Sequence, residues 1–374
     1  MKRINVIVKV TDACNLRCKY CYNSETEYKR EILSIERFDK LLRLLSDAYD
    51  EVELIWHGGE PLYAGLDFYR QAVEIEEKYY REKGLKTKNL IQTNGTLINK
   101  DWINFFKKYK FYPGVSLDGI HNDKYRQGTE KTLNAITLLQ KAGIKVGCMS
   151  VVADEDYDVL ENYKYFAEKG VDVAFSPMFS EGAGKDLGGV SAKYYVEQMN
   201  RLFDYWLYDK KGVGVKEFRT YISMVLGGCE KVCTNGSCLG KWLSISADGT
   251  LCNCGRYLVK EYPYGNIDDM EEISQAFRSE GFKAMLRGSI ERRKKCLEKC
   301  EYFQYCEGGC PDMSLIAGDL SSPAPFNCAT FIGVFVHVQA AIQQILADKV
   351  PLDGLNPAVK SIALKCLSQQ ESKE

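Results

Sequence analysis

Asn5-Val6-Ile7-Val8-Lys9-Val10, running straight into Thr11-Asp12-Ala13-Cys14-Asn15-Leu16-Arg17-Cys18-Lys19-Tyr20-Cys21, decides how the rest of the chain is read. The first piece is a short β-branched run of strand length. The second is polar and carries three thiols spaced C-x3-C-x2-C. On a helix, positions i, i+4 and i+7 share one face, so a plain buried stripe is the simplest explanation. Against it stand Asp12, Asn15, Arg17 and Lys19 among the thiols, with neither an N-cap nor periodic apolar partners. A structural zinc wants four ligands, and no fourth Cys or His lies nearby. Three thiolates suit a cubane iron–sulfur cluster with one iron left open to a further ligand.

Working outward, short apolar runs alternate with amphipathic segments up to about residue 177. Strands are expected at Asn5–Val10, Val52–Trp56, Asn89–Thr93, Gly114–Leu117, Lys145–Val151 and Val171–Ser176, and helices at Ile35–Ala48, Leu66–Arg81, Lys100–Lys107, Lys131–Ala142, Asp156–Lys169 and Ala192–Tyr208. Serial strand–helix units predict right-handed crossovers and a parallel sheet, here a partial (β/α)6 TIM-like barrel. Chemistry in such folds gathers at the carboxyl ends of the strands. Those ends carry the cysteine stretch, then His57-Gly58-Gly59-Glu60-Pro61, Thr93-Asn94-Gly95-Thr96 and Ser116-Leu117-Asp118-Gly119.

The chain has 374 residues, with 50 Lys+Arg against 51 Asp+Glu, so no basic excess points to nucleic acid or an anionic membrane. No apolar run reaches membrane-spanning length and no signal peptide is recognisable, so a cytoplasmic chain is expected. Ten of the 15 cysteines fall between Cys229 and Cys328. In a chain of this size and setting, that density favours metal over disulfides. Periodicity fails beyond about residue 210. The expected division is therefore an α/β barrel at 1–210, a small irregular cysteine-rich domain held by metal at 211–348 and closed by a helix over Phe331–Ala347, and a weakly structured tail at 349–374.

The cysteine stretch, with Tyr20 just before its third thiol, resembles the signature of the radical S-adenosylmethionine (SAM) enzymes. That resemblance implies a 4Fe-4S cluster on Cys14, Cys18 and Cys21 whose open iron is chelated by S-adenosyl-L-methionine. Glu60 in Gly58-Gly59-Glu60-Pro61 is similar to the family's second motif, which holds the methionyl amine; a carboxylate there gives a charge-assisted acceptor, and glycines let backbone approach closely. Asn94, Ser116 and Arg126 are similar to positions that contact the ribose and carboxylate of the cofactor, although the segment from Ser116 to Arg126 is two residues shorter than in sulfatase-maturing members.

Cys238, ten residues, Gly249, four residues and Cys254, followed by Cys296, Cys300, Cys306, Cys310 and Cys328, resemble the SPASM extension, with one residue more than usual between Cys296 and Cys300. Two auxiliary 4Fe-4S clusters are implied, one on Cys238, Cys254, Cys310 and an upstream thiol, the other on Cys296, Cys300, Cys306 and Cys328. Cys229 and Cys233 both fit as the upstream ligand, and the spacing to Cys238 favours Cys233. Cys148, Cys229, Cys252 and Cys366 are then left as small buried hydrophobes or free thiols. Zinc ribbons are the rival reading of the region.

The resemblance implies an oxidoreductase, and clusters beyond the first favour net two-electron oxidation of a substrate. Trp56-His57-Gly58-Gly59-Glu60-Pro61-Leu62 looks most like enzymes acting on peptides or proteins. The leading expectation is a maturase that forms a thioether or carbon–carbon cross-link in a ribosomal precursor peptide. Formylglycine formation by an anaerobic sulfatase-maturating enzyme comes second, because Gly255 stands where those enzymes place an Asp after the third auxiliary ligand; Asp118 is the alternative proton acceptor. From another class comes a non-catalytic scaffold or electron carrier. A low-potential flavodoxin- or ferredoxin-type donor is expected as a partner, and a separate leader-binding protein is compatible with a chain that opens on its first strand. The run Arg292-Arg293-Lys294-Lys295 reads as a solvated face or a contact for an acidic leader.

Overall fold

The computed structural model describes residues 2–23, 31–228, 233–235, 238–256 and 258–371, so Cys229 lies outside the described residues. The strands are β1 (Arg3–Thr11), β2 (Glu51–Gly58), β3 (Lys86–Thr93), β4 (Phe111–Ser116), β5 (Gly147–Val152), β6 (Asp172–Pro177), β7 (Trp242–Ile245), β8 (Thr250–Cys252) and β9 (Gly265–Asn266). They join one sheet in the order β6-β5-β4-β3-β2-β1-β7-β8-β9. β1 to β6 are parallel neighbours in sequence order, the arrangement that right-handed helical crossovers produce. β7 adds in parallel to the free side of β1, and β8 and β9 turn back antiparallel. The core is thus the expected partial barrel, extended past β1 by the cysteine-rich segment.

All six expected strands form. β4 starts earlier than its apolar run because Pro113, which cannot donate to a ladder, is accommodated opposite Ile91. Helices begin where side chains cap them: Ser34 accepts from Arg37 N, Asn99 from Asp101 N and Trp102 N, Asp158 from Glu161 N and Ser191 from Tyr194 N. One face of each strand packs on these helices. Trp56 is fully buried among the rings of Phe38, Phe68, Tyr69 and Phe111, and burial of such a ring is worth about 1.5–3 kcal/mol or more. On the other face, Ile7 of β1 and Ile55 of β2 line an interior cavity.

Three expectations change. The region beyond residue 210 contains helices at Lys216–Val225 and Glu280–Lys299. The second of these buries only Met285, Ser289 and Arg292, so it has almost no apolar period to detect. The tail carries a helix over Pro357–Glu371, with Val359, Ile362 and Cys366 buried against the helix Lys216–Val225. Within the basic run, Arg292 is 1% exposed and donates to Gly308 O and Leu320 O, while Arg293 pairs with Glu307 at 3.0 Å. Half of that run therefore holds the fold together. The closing helix spans Pro325–Ala347; long and apolar enough to cross a membrane, it packs instead on the helices Ala192–Trp206 and Lys216–Val225.

Glu76, fully buried, accepts from Asn89 Nδ2 at 2.8 Å, and Asn89 Oδ1 accepts from Trp56 Nε1 at 2.7 Å. Burial pushes its carboxyl up to about 7 from 4.5. The folded state therefore holds this proton more tightly than the unfolded chain. Its contribution to stability is complete below pH about 4.5 and is lost as pH rises through about 7, a swing of roughly 3 kcal/mol. Glu76→Gln keeps the acceptor for Asn89 and removes the titration, so melting curves should show the variant gaining on the wild type between pH 5 and pH 8. An unchanged difference at the two pH values would refute this role.

Candidate active site

The loop after β1 lies directly on the turn after β2. Gly59 N donates to Thr11 O and Glu60 N to Ala13 O, both at 2.8 Å. A Cβ on Gly59 would fall 2.3 Å from Ala13 O and 2.5 Å from Asp12 O, so only glycine permits the approach. Lys9, 2% exposed, donates to Asn23 Oδ1 at 2.9 Å, and Asn23 Nδ2 donates to Gly58 O at 2.9 Å, tying the far end of the loop to the same turn.

Cys14, Cys18 and Cys21 are thereby gathered at the rim of a cavity of about 410 Å³ that they share with Tyr20, Gly58, Gly59, Asn94, Ser116 and Arg126. Burial pushes all three thiols up, and each also feels the charge of another of the three. Leu16 N donates to Cys14 Sγ at 3.4 Å, and Asn94 Nδ2 approaches it at 3.9 Å. N–H groups aimed at a sulfur suit a thiolate that carries metal.

Around this rim the other expected residues take distinct places. Tyr20 donates to Asp118 Oδ2 and accepts from Arg126 Nη1 at 2.9 Å. Burial opposes the charge of Arg126, but Tyr20, Asp118 and Cys18 beside it more than offset this, so Arg126 faces the cavity as a cation. Ser116 accepts from Gln92 Nε2 at 2.8 Å. Asp118 does not line the cavity: it is fully buried and also accepts from Val151 N at 2.9 Å, so it orients Tyr20 and Arg126 and is out of place as a proton acceptor for a substrate. Glu60 is equally enclosed. Its oxygens accept from Thr93 Oγ1 at 2.7 Å, Asn94 N at 2.8 Å and Leu62 N at 3.1 Å, and the turn shows the cavity its glycines. His57 lines the cavity too; burial lowers it to about 4, and its Nδ1 accepts from Gly58 N at 2.8 Å, so the neutral ring carries its proton on Nε2.

Cys233, Cys238, Cys254 and Cys310 line the same cavity from the other side. Burial pushes Cys238 up to about 11 and Cys310 up to about 12; Cys238 feels Cys233, Cys310 feels Cys238 and Cys233, and Cys254 feels Cys310. Cys296, Cys300, Cys306 and Cys328 form a third group away from the cavity, with Cys328 pushed up to about 11 by burial and then by the other three. Among the described residues no three His, Cys, Asp or Glu side chains are arranged to hold one metal ion. A tetrahedral zinc would draw four sulfurs to roughly 3.8 Å of one another, which these groups do not show among the described residues; sets of three and four thiols are the donor chemistry of iron–sulfur clusters. Cys148, Cys252 and Cys366 are buried, and none of them lines this cavity.

Two residues at this cavity were not singled out from the sequence. Arg256 and Asp312 line it and pair at 3.3 Å, and Asp312 is its one carboxylate among the described residues. The signal was there in Cys254-Gly255-Arg256 and Cys310-Pro311-Asp312, each charge two residues past a cysteine of one group. A second cavity of about 910 Å³ adjoins the first, sharing Gln92, Met149, Phe179, Trp242 and Arg256, and reaches Arg3, Glu53 and Lys88 at the amino ends of β1, β2 and β3.

Residues 8–164 match the family described as the Radical SAM superfamily. A cysteine-type anaerobic sulfatase-maturating enzyme of Clostridium novyi is 30% identical over 335 residues, covering 83% of this chain and 88% of that enzyme. A serine-type counterpart of Bacteroides thetaiotaomicron is 30% identical over 379 residues, covering 90% of each. The solved structure of anSMEcpe with bound AdoMet and the Cp18Cys peptide is similar with a TM-score of 0.80 at 25% identity, over 93% of this chain and 99% of that one.

Proposed function

Since this chain belongs to the radical SAM superfamily and stands close to the anaerobic sulfatase-maturating enzymes, we propose that it oxidises a cysteine or serine of a peptide or protein to formylglycine. Membership makes it an enzyme that uses a 4Fe-4S cluster and S-adenosylmethionine. The observation that carries the finer reading is the convergence of two thiol groups and one carboxylate on a single cavity.

Cys14, Cys18 and Cys21 would hold the first cluster, with Tyr20, Gly58, Gly59, Asn94, Ser116 and Arg126 around the S-adenosylmethionine and Glu60 bracing the turn behind it. Cys233, Cys238, Cys254 and Cys310 would hold one auxiliary cluster, and Cys296, Cys300, Cys306 and Cys328 another, three in all. When bound, the first cluster and S-adenosylmethionine supply a deoxyadenosyl radical that takes a hydrogen atom from an unactivated carbon. The chain supplies the rest. Ile7, Ile55, Met149, Val151, Met178 and Phe179 give the cavity an apolar wall that excludes water. Oxidising the side chain of serine removes two hydrogens, one as an atom and the other as a proton and an electron. Asp312 would take the proton; a flavodoxin- or ferredoxin-type donor outside the protein would supply the one electron that cleavage of S-adenosylmethionine consumes, and its oxidised form would accept the electron that the substrate gives up. For cysteine the same loss yields a thioaldehyde, which water converts to the aldehyde and hydrogen sulfide.

Cross-linking of a ribosomal peptide ranks second. Gly255 after Cys254 favoured it, but Asp312 brings a carboxylate to the same cavity from another segment, which removes that objection to maturation. The test is anaerobic reconstitution with S-adenosylmethionine, dithionite and peptides bearing a single cysteine or serine. Mass spectrometry should find an aldehyde that hydrazines trap. Deoxyadenosine released beside unmodified peptides of both kinds would sink maturation, and a loss of two hydrogens with an internal bridge in a precursor peptide would establish cross-linking.

A further inference from the structure

Arg256 sits where the two cavities meet, since it lines both. Its guanidinium lies 3.5 Å from the centre of the Phe179 ring, and Nη1 stands 3.3 Å from Asp312 Oδ2 and 3.7 Å from Glu181 Oε2. Both carboxylate side chains are 1% exposed. These contacts are ion pairs of imperfect geometry: Asp312 feels Arg256 at close range, yet Nη1 of Arg256 and both oxygens of Asp312 make no well-aligned hydrogen bond among the described residues. Donors and acceptors held inside a cavity by ion pairing alone keep hydrogen-bonding capacity that a ligand can satisfy, so a group held this way reads as one waiting for a ligand.

The charges define that ligand. One cation already faces two carboxylates, so a further anion would be repelled, and a second cation would meet Arg256 itself. What the fork still offers is N–H donors to a neutral oxygen acceptor, and a guanidinium stacked on an aromatic ring presents them in a fixed plane. Along a channel of about 910 Å³ leading to the reacting cavity, the neutral acceptor that a peptide presents at every residue is its main-chain carbonyl.

We propose that Arg256 is the anchor for the substrate's main chain, donating to the carbonyl of the residue to be oxidised, with Phe179, Glu181 and Asp312 holding the guanidinium in that orientation. This rests on the peptide reading above and adds to it the group that sets how far the target residue enters. The anchored carbonyl fixes the side chain of that residue beside Asp312, the carboxylate paired with Arg256.

The holoenzyme with S-adenosylmethionine, unreduced, is titrated into fluorescently labelled Cp18Cys peptide and anisotropy is read. Arg256→Met should weaken binding by about 10- to 100-fold, raise KM more than it lowers kcat, and increase the deoxyadenosine released per peptide oxidised. Arg256→Lys, which keeps the charge and loses the fork, should recover part of the affinity. Iron and sulfide content shows whether each variant is assembled. If Arg256→Met fails to assemble, the wild type is given a Cp18Cys peptide with a thioamide at the target residue, whose sulfur accepts hydrogen bonds poorly; affinity should fall there as well. Wild-type affinity in an assembled Arg256→Met, or no response to the thioamide, overturns the anchor and leaves the function standing. A wild-type enzyme that neither binds nor oxidises Cp18Cys overturns the peptide reading, and the anchor with it.

Discussion

Cys18→Ala should abolish release of deoxyadenosine from S-adenosylmethionine after dithionite reduction and lower bound iron by about four atoms per chain. The thiol sits between Cys14 and Cys21 in the loop that Gly59 and Glu60 hold down, its carboxy-terminal neighbours are pinned through Lys19 N to Tyr125 O at 2.9 Å, and no His or fourth Cys of that loop can substitute for it. Removing one of three thiolates leaves the cluster two attachments. The comparison variant is Cys366→Ala, a buried thiol of the helix Pro357–Glu371 that lines neither cavity, which should keep iron and activity. Deoxyadenosine formed at the wild-type rate by iron-loaded Cys18→Ala would remove the radical chemistry from this loop.

Asp312→Asn should separate the two halves of the reaction. Hydrogen-atom removal needs no carboxylate, so S-adenosylmethionine should still be cleaved in the presence of peptide, while aldehyde formation falls by about 100- to 1000-fold, the range lost with a positioned proton acceptor. The ratio of deoxyadenosine to formylglycine, followed by chromatography and mass spectrometry, is the measurement. The substitution is nearly isosteric and Arg256 keeps Glu181 within 3.7 Å, so folding should survive. An unchanged ratio would show that the proton leaves by another group. Asp118→Asn gives the contrast: Asp118 acts through Tyr20 and Arg126, so its loss should weaken binding of S-adenosylmethionine before it alters that ratio.

Much of the first half of the molecule was legible because its signals are local. β-branched runs, capped amphipathic helices and polar strand ends are each written within a dozen residues, and parallel order follows from their alternation. The helix Glu280–Lys299 was not legible, because it is anchored by a buried Arg292 bonded to two carbonyls and has hardly an apolar face. The helix Pro357–Glu371 was missed for a related reason: among its described residues the buried side chains are Val359, Ile362 and Cys366, too short a pattern to stand out from a polar tail. Glu60 was recognised as a member of the site, but its enclosure by Thr93 and Asn94 depends on β3 lying beside β2, which spacing along the chain does not encode.

Residue order alone determined the six strand–helix units, the three-thiol loop at the first strand end and the glycine turn facing it, since each depends on bonds and contacts between near neighbours. Only the tertiary structure decided that β7 closes onto β1 and so brings the groups of Cys14 and Cys238 to one cavity. It also decided that Glu181, Arg256 and Asp312, from three distant segments, meet there as a buried charged cluster. Charges far apart in the chain carry no mutual signal until folding removes the water between them. At that point their attraction and their unmet hydrogen bonds become strong enough to select a ligand.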